Sequence, residues 1–370
     1  MARTLIQTHF TMMVPRRGRK PRVPAQTRRV SETFRVLFFP EHQLQCPAMI
    51  TLPEILHARN TIAPFIFRTP LRASFLLSAR VGASVYLKLE NWQITGSFKL
   101  RGALNRLAQM TDDERARGIV TASAGNHALG VGYAARALNV ASSTTIFVPR
   151  TAPRTKLAKL REFPVTVQQV GETYDDAHRA ADAFARENGA TFIHAYDDPR
   201  TVAGQGTIGL EILDDLPNVD AILVPVGGGG MITGIAIAAK TIAPQTRIVG
   251  VQTDASPALR DSLRDDKCYE EYAHSPTICE GLAGGIGKMV FDAAKQKLID
   301  DVVIVAEEDV RGAIRALAET EQLIVEGSGA VGVAALLTRA IDLRGKRVAV
   351  VLSGGNIDLG LFSEILKSEK

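Results

Sequence analysis

Ala221-Ile222-Leu223-Val224-Pro225-Val226-Gly227-Gly228-Gly229-Gly230-Met231-Ile232-Thr233 carries the architecture of this chain. A run of aliphatic residues breaks into four glycines, and Met231 to Thr241 then takes up a helical pattern. Strand, glycine turn and helix make up the unit from which parallel sheets are assembled. The glycines let the backbone approach a ligand closely and turn several N–H groups toward one point. The helix that follows adds its positive end, so the turn suits a phosphate. Two nucleotide signatures fail here. Ile232 and Thr233 stand where a dinucleotide fingerprint needs its third glycine, and no Gly-Lys-Ser/Thr follows. The plain alternative is a tight strand-to-helix turn, although a turn rarely needs four glycines.

The same alternation extends in both directions. Ser84 to Leu89 is expected as a strand and Phe98 to Gln109 as a helix. A compact series follows, with strands at 118–121, 143–148, 165–170 and 191–194 and helices at 127–138, 152–162 and 174–187. A second series begins near Gly206, with strands at 221–226, 247–252, 302–305 and 347–352 and helices at 231–241, 308–319 and 328–340. The expected fold class is α/β, with two open, twisted, mainly parallel sheets flanked by helices. The larger domain is expected over 49–117 and 196–370 and the smaller over 118–195, with a ligand in the cleft between them. Cys268 to Lys288 is Gly-rich and irregular and reads as a loop near the site. No fixed-period repeat or low-complexity tract is present.

At 370 residues the chain is long enough for two domains. No apolar run is long enough to span a bilayer, and no membrane partner is expected. Three cysteines, Cys46, Cys268 and Cys279, without metal-type spacing fit a reducing, cytoplasmic setting. The net charge of +5 is misleading, because residues 1–48 hold nine basic side chains against two acids, a charge of +7. The remainder is then −2, which gives no reason to expect nucleic acid as a partner. The basic leader has three readings: an Arg-rich transit peptide, a nucleic-acid or membrane-surface arm through Arg16-Arg17-Gly18-Arg19-Lys20, or an unstructured extension with Met49 opening the folded protein. The last is preferred, since the segment shows no sustained period and no apolar core follows its basic residues.

In open parallel sheets, ligands bind beyond the carboxyl ends of the strands. Three further segments lie there. Thr95-Gly96-Ser97-Phe98-Lys99 enters a helix. A lysine at a helix start is most often a solvated charge. Here the positive helix end disfavours the cation and would lower its pKa, which suits an amine that must react with an aldehyde. Beside a phosphate cradle that lacks any nucleotide signature, such a lysine points to pyridoxal phosphate. Ser123-Ala124-Gly125-Asn126-His127 opens another helix and could bind a carboxylate or a phenolic oxygen, or could simply be an N-cap. His127 has no visible acid partner and is not expected to be a base. Ser353-Gly354-Gly355-Asn356 ends the last strand, either as a turn or as a hydroxyl partner for a ring nitrogen. A neutral hydroxyl there leaves the pyridine largely unprotonated, which suits expulsion of a β leaving group better than transamination.

Glu90-Asn91-Trp92-Gln93-Ile94-Thr95-Gly96-Ser97-Phe98-Lys99-Leu100-Arg101-Gly102-Ala103 closely resembles the lysine segment of the threonine/serine dehydratase family, the fold type II (tryptophan synthase β-like) pyridoxal-phosphate enzymes. Ser123 to His127, Gly227 to Met231 and Ser353 to Asn356 resemble that family's other cofactor segments, in the same order. The resemblance covers roughly Ile50 to the C-terminus. It implies that Lys99 carries the cofactor as a Schiff base and then takes the substrate Cα proton. It implies that Phe98 packs against the ring and that Asn126 bonds the phenolic oxygen. Gly227, Gly228, Gly229, Gly230 and Met231 would hold the phosphate, and Ser353 the ring nitrogen. Thr95, Ser97, Ser123, Asn126 and His127 would grip the substrate carboxylate. The implied reaction is dehydration and deamination of L-threonine, L-serine or a related hydroxy amino acid such as an intermediate of hydroxyectoine breakdown. The implied assembly is a homo-oligomer, a dimer or a tetramer.

Two departures shape the expectation. Serine racemases of the family carry a second Ser after the first in the Asn loop; Ala124 stands there and cannot transfer a proton. Some members bind a divalent cation through a Glu and an Asp, where this chain has Gln252 and Ala258 with Asp254 offset, so no metal is expected. The chain also ends soon after Ser353, so a C-terminal regulatory domain and isoleucine feedback are not expected.

Overall fold

Five consecutive buried residues, Ala221–Pro225, make a strand that is apolar on both faces, as a central parallel strand must be. The computed structural model in which this strand is seen describes residues 49–152 and 154–368. The readings for residues 1–48, and Cys46 with them, lie outside the described residues.

The first segment runs α1 (Leu52–Ile62), β1 (Leu71–Ser74), α2 (Phe75–Val81), β2 (Ser84–Lys88) and α3 (Lys99–Ala108). The middle segment runs α4 (Asp112–Arg117), β3 (Ile119–Ala122), α5 (Asn126–Ala137), β4 (Thr144–Val148), α6 (Arg154–Arg161), β5 (Thr166–Gln169), α7 (Tyr174–Asn188) and β6 (Thr191–Phe192). The last runs α8 (Pro199–Asp215), β7 (Ala221–Pro225), α9 (Gly230–Ile242), β8 (Arg247–Thr253), α10 (Ala258–Arg264), α11 (Lys288–Lys295), β9 (Asp301–Val305), α12 (Glu307–Glu321), α13 (Gly327–Leu337), β10 (Arg347–Val351) and α14 (Leu359–Lys367).

Two sheets result, as expected for this α/β class. The larger has the order β1-β2-β10-β7-β8-β9, parallel except for β1, which pairs antiparallel with β2 at one edge (Leu71↔Lys88). The smaller has the order β5-β4-β3-β6 and is wholly parallel. Every strand expected from sequence is present within a few residues, and Cys268 to Lys288 is irregular apart from a 3-10 turn at Glu280–Leu282.

The longest element missing from the sequence reading is α8. Its glycines argue against a helix, yet they are what lets three helices meet backbone to backbone. A Cβ on Gly204 would lie 2.6 Å from the Arg101 carbonyl in α3, and one on Gly206 would lie 2.9 Å from the Gly234 carbonyl in α9. Tertiary contact overrides the intrinsic cost of glycine in a helix. The edge strand β1 and the short helices α1, α2, α4, α10, α11 and α14 were also not anticipated. Among the described residues no helix is long and apolar enough to cross a membrane.

Candidate active site

Lys99 opens α3, and the residue before it is already helical, so the amine leaves from the first turn. Its Nζ donates to the Ala195 carbonyl at 2.9 Å and lies 5.3 Å from the Phe98 ring centre and 5.9 Å from that of Tyr196. The residue keeps partial exposure, but burial of the amine brings its pKa down from 10.5 to about 8, with Glu326 acting in the opposite direction. Desolvation leads this shift, rather than the helix terminus that the sequence suggests.

Ser353 to Asn356 runs alongside the lysine segment. Phe98 N–H donates to the Ser353 carbonyl (3.0 Å), Gly355 N–H donates to the Gly96 carbonyl (2.9 Å), and Ser97 bridges Gly354. Ser353 itself is buried. Asn356 Nδ2 donates to the Thr95 carbonyl at 2.9 Å. The Ser97 and Thr95 hydroxyls are buried without any hydrogen-bond partner. Such orphaned groups cost free energy unless something else meets them.

Ser123 to His127 joins β3 to α5. Ser123 Oγ accepts the Gly125 N–H (3.1 Å), and α5 begins without a side-chain cap. Asn126 Nδ2 donates to Glu326 Oε1 at 2.7 Å, and Asn126 Oδ1 accepts from Asn356 Nδ2 at 2.8 Å. The imidazole of His127 is buried, with Nε2 at 3.0 Å from the Ile193 carbonyl, and burial depresses its pKa to about 3. It therefore stays neutral at neutral pH.

The glycine loop sits at the end of β7. Gly229 has φ +91°, a backbone conformation that side chains resist, and α9 begins at Gly230 with no side-chain cap. A Cβ on Gly227 would lie 2.4 Å from the Gly281 carbonyl, one on Gly228 2.2 Å from the Tyr196 ring, one on Gly229 2.3 Å from Val290, and one on Gly230 2.4 Å from the Tyr196 carbonyl. All four glycines are therefore demanded by the protein's own packing. The count alone does not argue for phosphate; the uncapped helix start behind the loop does. Met231 is buried in the first turn of α9.

The structure thus brings all four segments together, and it adds two residues that were not singled out from sequence. Tyr196 lies between the lysine and the glycine loop, four residues past the end of β6, where the rule on strand ends would have found it. Its turn is held by His194 Nδ1, which accepts the Tyr196 and Asp197 N–H groups at 3.3 and 2.8 Å. Glu326 precedes α13, and its pKa is pushed up to about 7, chiefly by burial, against the pull of Asn126. Gln252 is engaged elsewhere: Oε1 accepts the Leu259 and Arg260 N–H groups at 3.1 Å each, and Nε2 donates to the Val226 carbonyl at 3.2 Å.

A pyridoxal phosphate group fits these residues. Its phosphate matches the N–H groups of the glycine loop and α9, its aldehyde matches a lysine whose amine is readily neutral, and acceptor oxygens match the orphaned hydroxyls. Comparison with known proteins agrees. The family model for "pyridoxal-phosphate dependent enzyme" matches residues 62–354. An L-threonine ammonia-lyase from Thermotoga maritima is 44% identical over 319 residues, 86% of this chain and 78% of that protein. The processed threonine deaminase isoform 2 of Solanum lycopersicum superposes with TM-score 0.79 at 33% identity, over 86% of this chain and 89% of that one. Maize serine racemase superposes equally well, with TM-score 0.79 at 31% identity over 86% and 97%. On the match over residues 62–354 and the relative at 44% identity, this chain belongs to the pyridoxal-phosphate dependent enzyme family.

Proposed function

We propose that this protein is a lyase that removes water and then ammonia from L-threonine or L-serine to give a 2-oxo acid. The observation that carries the reading is Lys99, an amine with a depressed pKa at the start of α3, beside the Ser353 to Asn356 segment and near Tyr196 at the glycine loop. The cofactor, when bound, supplies the electron sink that makes the substrate Cα proton acidic. Lys99 would hold it through Nζ, and the same nitrogen would accept that proton. Phe98 would pack against the ring. Asn126 would serve the phenolic oxygen, Ser353 the ring nitrogen, and the N–H groups of Gly227 to Met231 the phosphate. The substrate carboxylate is held by Thr95, Ser97, Ser123 and Asn126 and by the uncapped start of α5 at His127.

Racemisation is the second reading, favoured by the likeness to maize serine racemase. Ala124 argues against it. Its methyl group packs against the core around α5 and offers no proton for the opposite face. We further take the two sheets to belong to two lobes, 118–195 and 49–117 with 196–370, and the enzyme to work as a cytoplasmic homo-oligomer on a small amino acid.

A screen of β-hydroxy amino acids for 2-oxo acid release tests the main reading, with Lys99→Ala as control. Threonine or serine should be turned over by the parent protein alone. Turnover that survives Lys99→Ala would refute the mechanism, and chiral analysis of recovered serine separates elimination from racemisation.

A further inference from the structure

We infer that Glu326 and Asn356 are positioning residues that lock the side-chain amide of Asn126, so that Asn126 presents an N–H donor, and never its carbonyl oxygen, to the cofactor ring. The inference rests on the pyridoxal-phosphate reading above.

The argument begins at two groups whose hydrogen-bond roles cannot be exchanged. The ammonium of Lys159 can only donate, and it faces Asn356 Oδ1 at 3.2 Å. The backbone carbonyl of Thr95 can only accept, and it faces Asn356 Nδ2 at 2.9 Å. Together they fix which end of the Asn356 amide is nitrogen. That nitrogen has a second hydrogen, which goes to Asn126 Oδ1 at 2.8 Å. Asn126 is thereby fixed in turn, and its Nδ2 donates to Glu326 Oε1 at 2.7 Å. Turning the Asn126 amide over would set its oxygen against the carboxylate and its nitrogen against the Asn356 nitrogen. Two hydrogen bonds would become two repulsions.

One Asn126 nitrogen hydrogen is spent on Glu326; the second remains for the cofactor. A donor at a phenolic oxygen favours the deprotonated oxygen, because hydrogen bonding to the charged form stabilises it. The direction of one amide therefore reaches the electronics of the ring through residues that need not touch it. Glu326→Gln is the informative change. It keeps the size of the side chain but removes the charge and can offer an amide N–H where Asn126 Nδ2 needs an acceptor, so the hold on Asn126 is weakened.

The test uses the reconstituted holoenzyme and reads the absorption spectrum of the bound chromophore and its retention on dialysis, not turnover. Asn126→Ala is expected to alter the spectrum directly. Glu326→Gln is expected to alter it in the same direction and to weaken cofactor retention by roughly five- to tenfold, the worth of one hydrogen bond. Asn356→Ala provides a second route should Glu326→Gln fail to fold, with the same spectral direction expected. If Asn126→Ala changes the spectrum while Glu326→Gln and Asn356→Ala leave it as in the parent, the positioning role is wrong and the cofactor reading stands. If Asn126→Ala changes nothing, the amide does not face the ring and the inference is equally wrong. A parent protein that takes up no chromophore would remove the cofactor reading and this inference with it.

Discussion

Lys99 and Arg101 lie two residues apart at the start of α3, and the protein treats their charges in opposite ways. Arg101 is sealed from solvent and spends its guanidinium on two carboxylates. Its Nε and Nη2 reach Glu90 at 2.8 Å each, and Nη1 and Nη2 reach Glu211 at 2.7 and 2.9 Å. Lys88, also fully buried, adds a bond to Glu211 at 2.5 Å. Burial works against the charges of Arg101, Glu90 and Lys88; at Lys88 it lowers the pKa, but at Arg101 and Glu90 the partners outweigh it: the guanidinium pKa rises and the Glu90 carboxyl falls below its usual range. Lys99 receives one backbone carbonyl and two aromatic rings. There burial wins, and the amine ends near 8. A buried charge with full partners is scaffolding, whereas a charge kept short of partners is available for chemistry.

The sharpest break in that contrast comes from removing each side chain in turn. Lys99→Ala should lower turnover by at least roughly 10³-fold, the loss of attachment and proton transfer together, and leave a folded protein. Arg101→Met should do the reverse to stability. It leaves the buried Glu90 carboxylate without a cation and Glu211 with Lys88 alone, and should cost about 3–5 kcal/mol in denaturant unfolding. Were Arg101→Met as stable as the parent, the cluster would not be the scaffold described, and the contrast would fail on that side.

Acidity sharpens the other side. In the cofactor-free protein the folded Lys99 pKa, about 8, lies below its ordinary value of 10.5. Between those values the unfolded chain binds more protons than the folded one, so stability rises with pH across this window. Below about pH 8 the full penalty is present, on the order of 2–3 kcal/mol once partial exposure is allowed for. Chemical denaturation of the cofactor-free protein at pH 7.5 and 10 should show the parent gaining relative to Lys99→Met. A difference that stays constant with pH would mean that the amine is solvated after all. Glu326 runs in the opposite sense. Its pKa is raised to about 7, so the stability it contributes falls as pH rises from about 4.5 through 7.

Much of this was legible in the sequence because it depends on local pattern. The strands of both sheets other than β1 and the helices after Lys99, Asn126 and Gly230 follow from periodicity, and the four candidate segments follow from glycine and polar residues at strand ends. What escaped depends on partners distant in the chain. The glycines of α8 are costly in an isolated helix and find their reason only in the close approach of α3 and α9. Tyr196 and Glu326 stand in no motif; they matter only because β6 ends beside the glycine loop and α13 begins beside Asn126. The four glycines were read as a sign of phosphate, and packing against Gly281, Tyr196 and Val290 accounts for each of them independently.

The smallest effects probe single hydroxyls on the two sides of the comparison. Thr69 belongs to the scaffold: its hydroxyl donates to Glu90 Oε1 at 2.5 Å and is buried. Ser97 belongs to the site: its hydroxyl is equally buried and has no partner. Thr69→Ala leaves a buried carboxylate one donor short and should cost about 1–2 kcal/mol of stability. Ser97→Ala removes a group that the folded protein does not satisfy, so the cofactor-free stability should stay within about 0.5 kcal/mol of the parent or rise. Its effect should fall on substrate instead, as a roughly three- to tenfold increase in KM with kcat little changed, the pattern of a contact made equally in ground and transition states. Equal destabilisation by both changes would mean that Ser97 serves the fold as Thr69 does, and that the carboxylate is gripped by other groups.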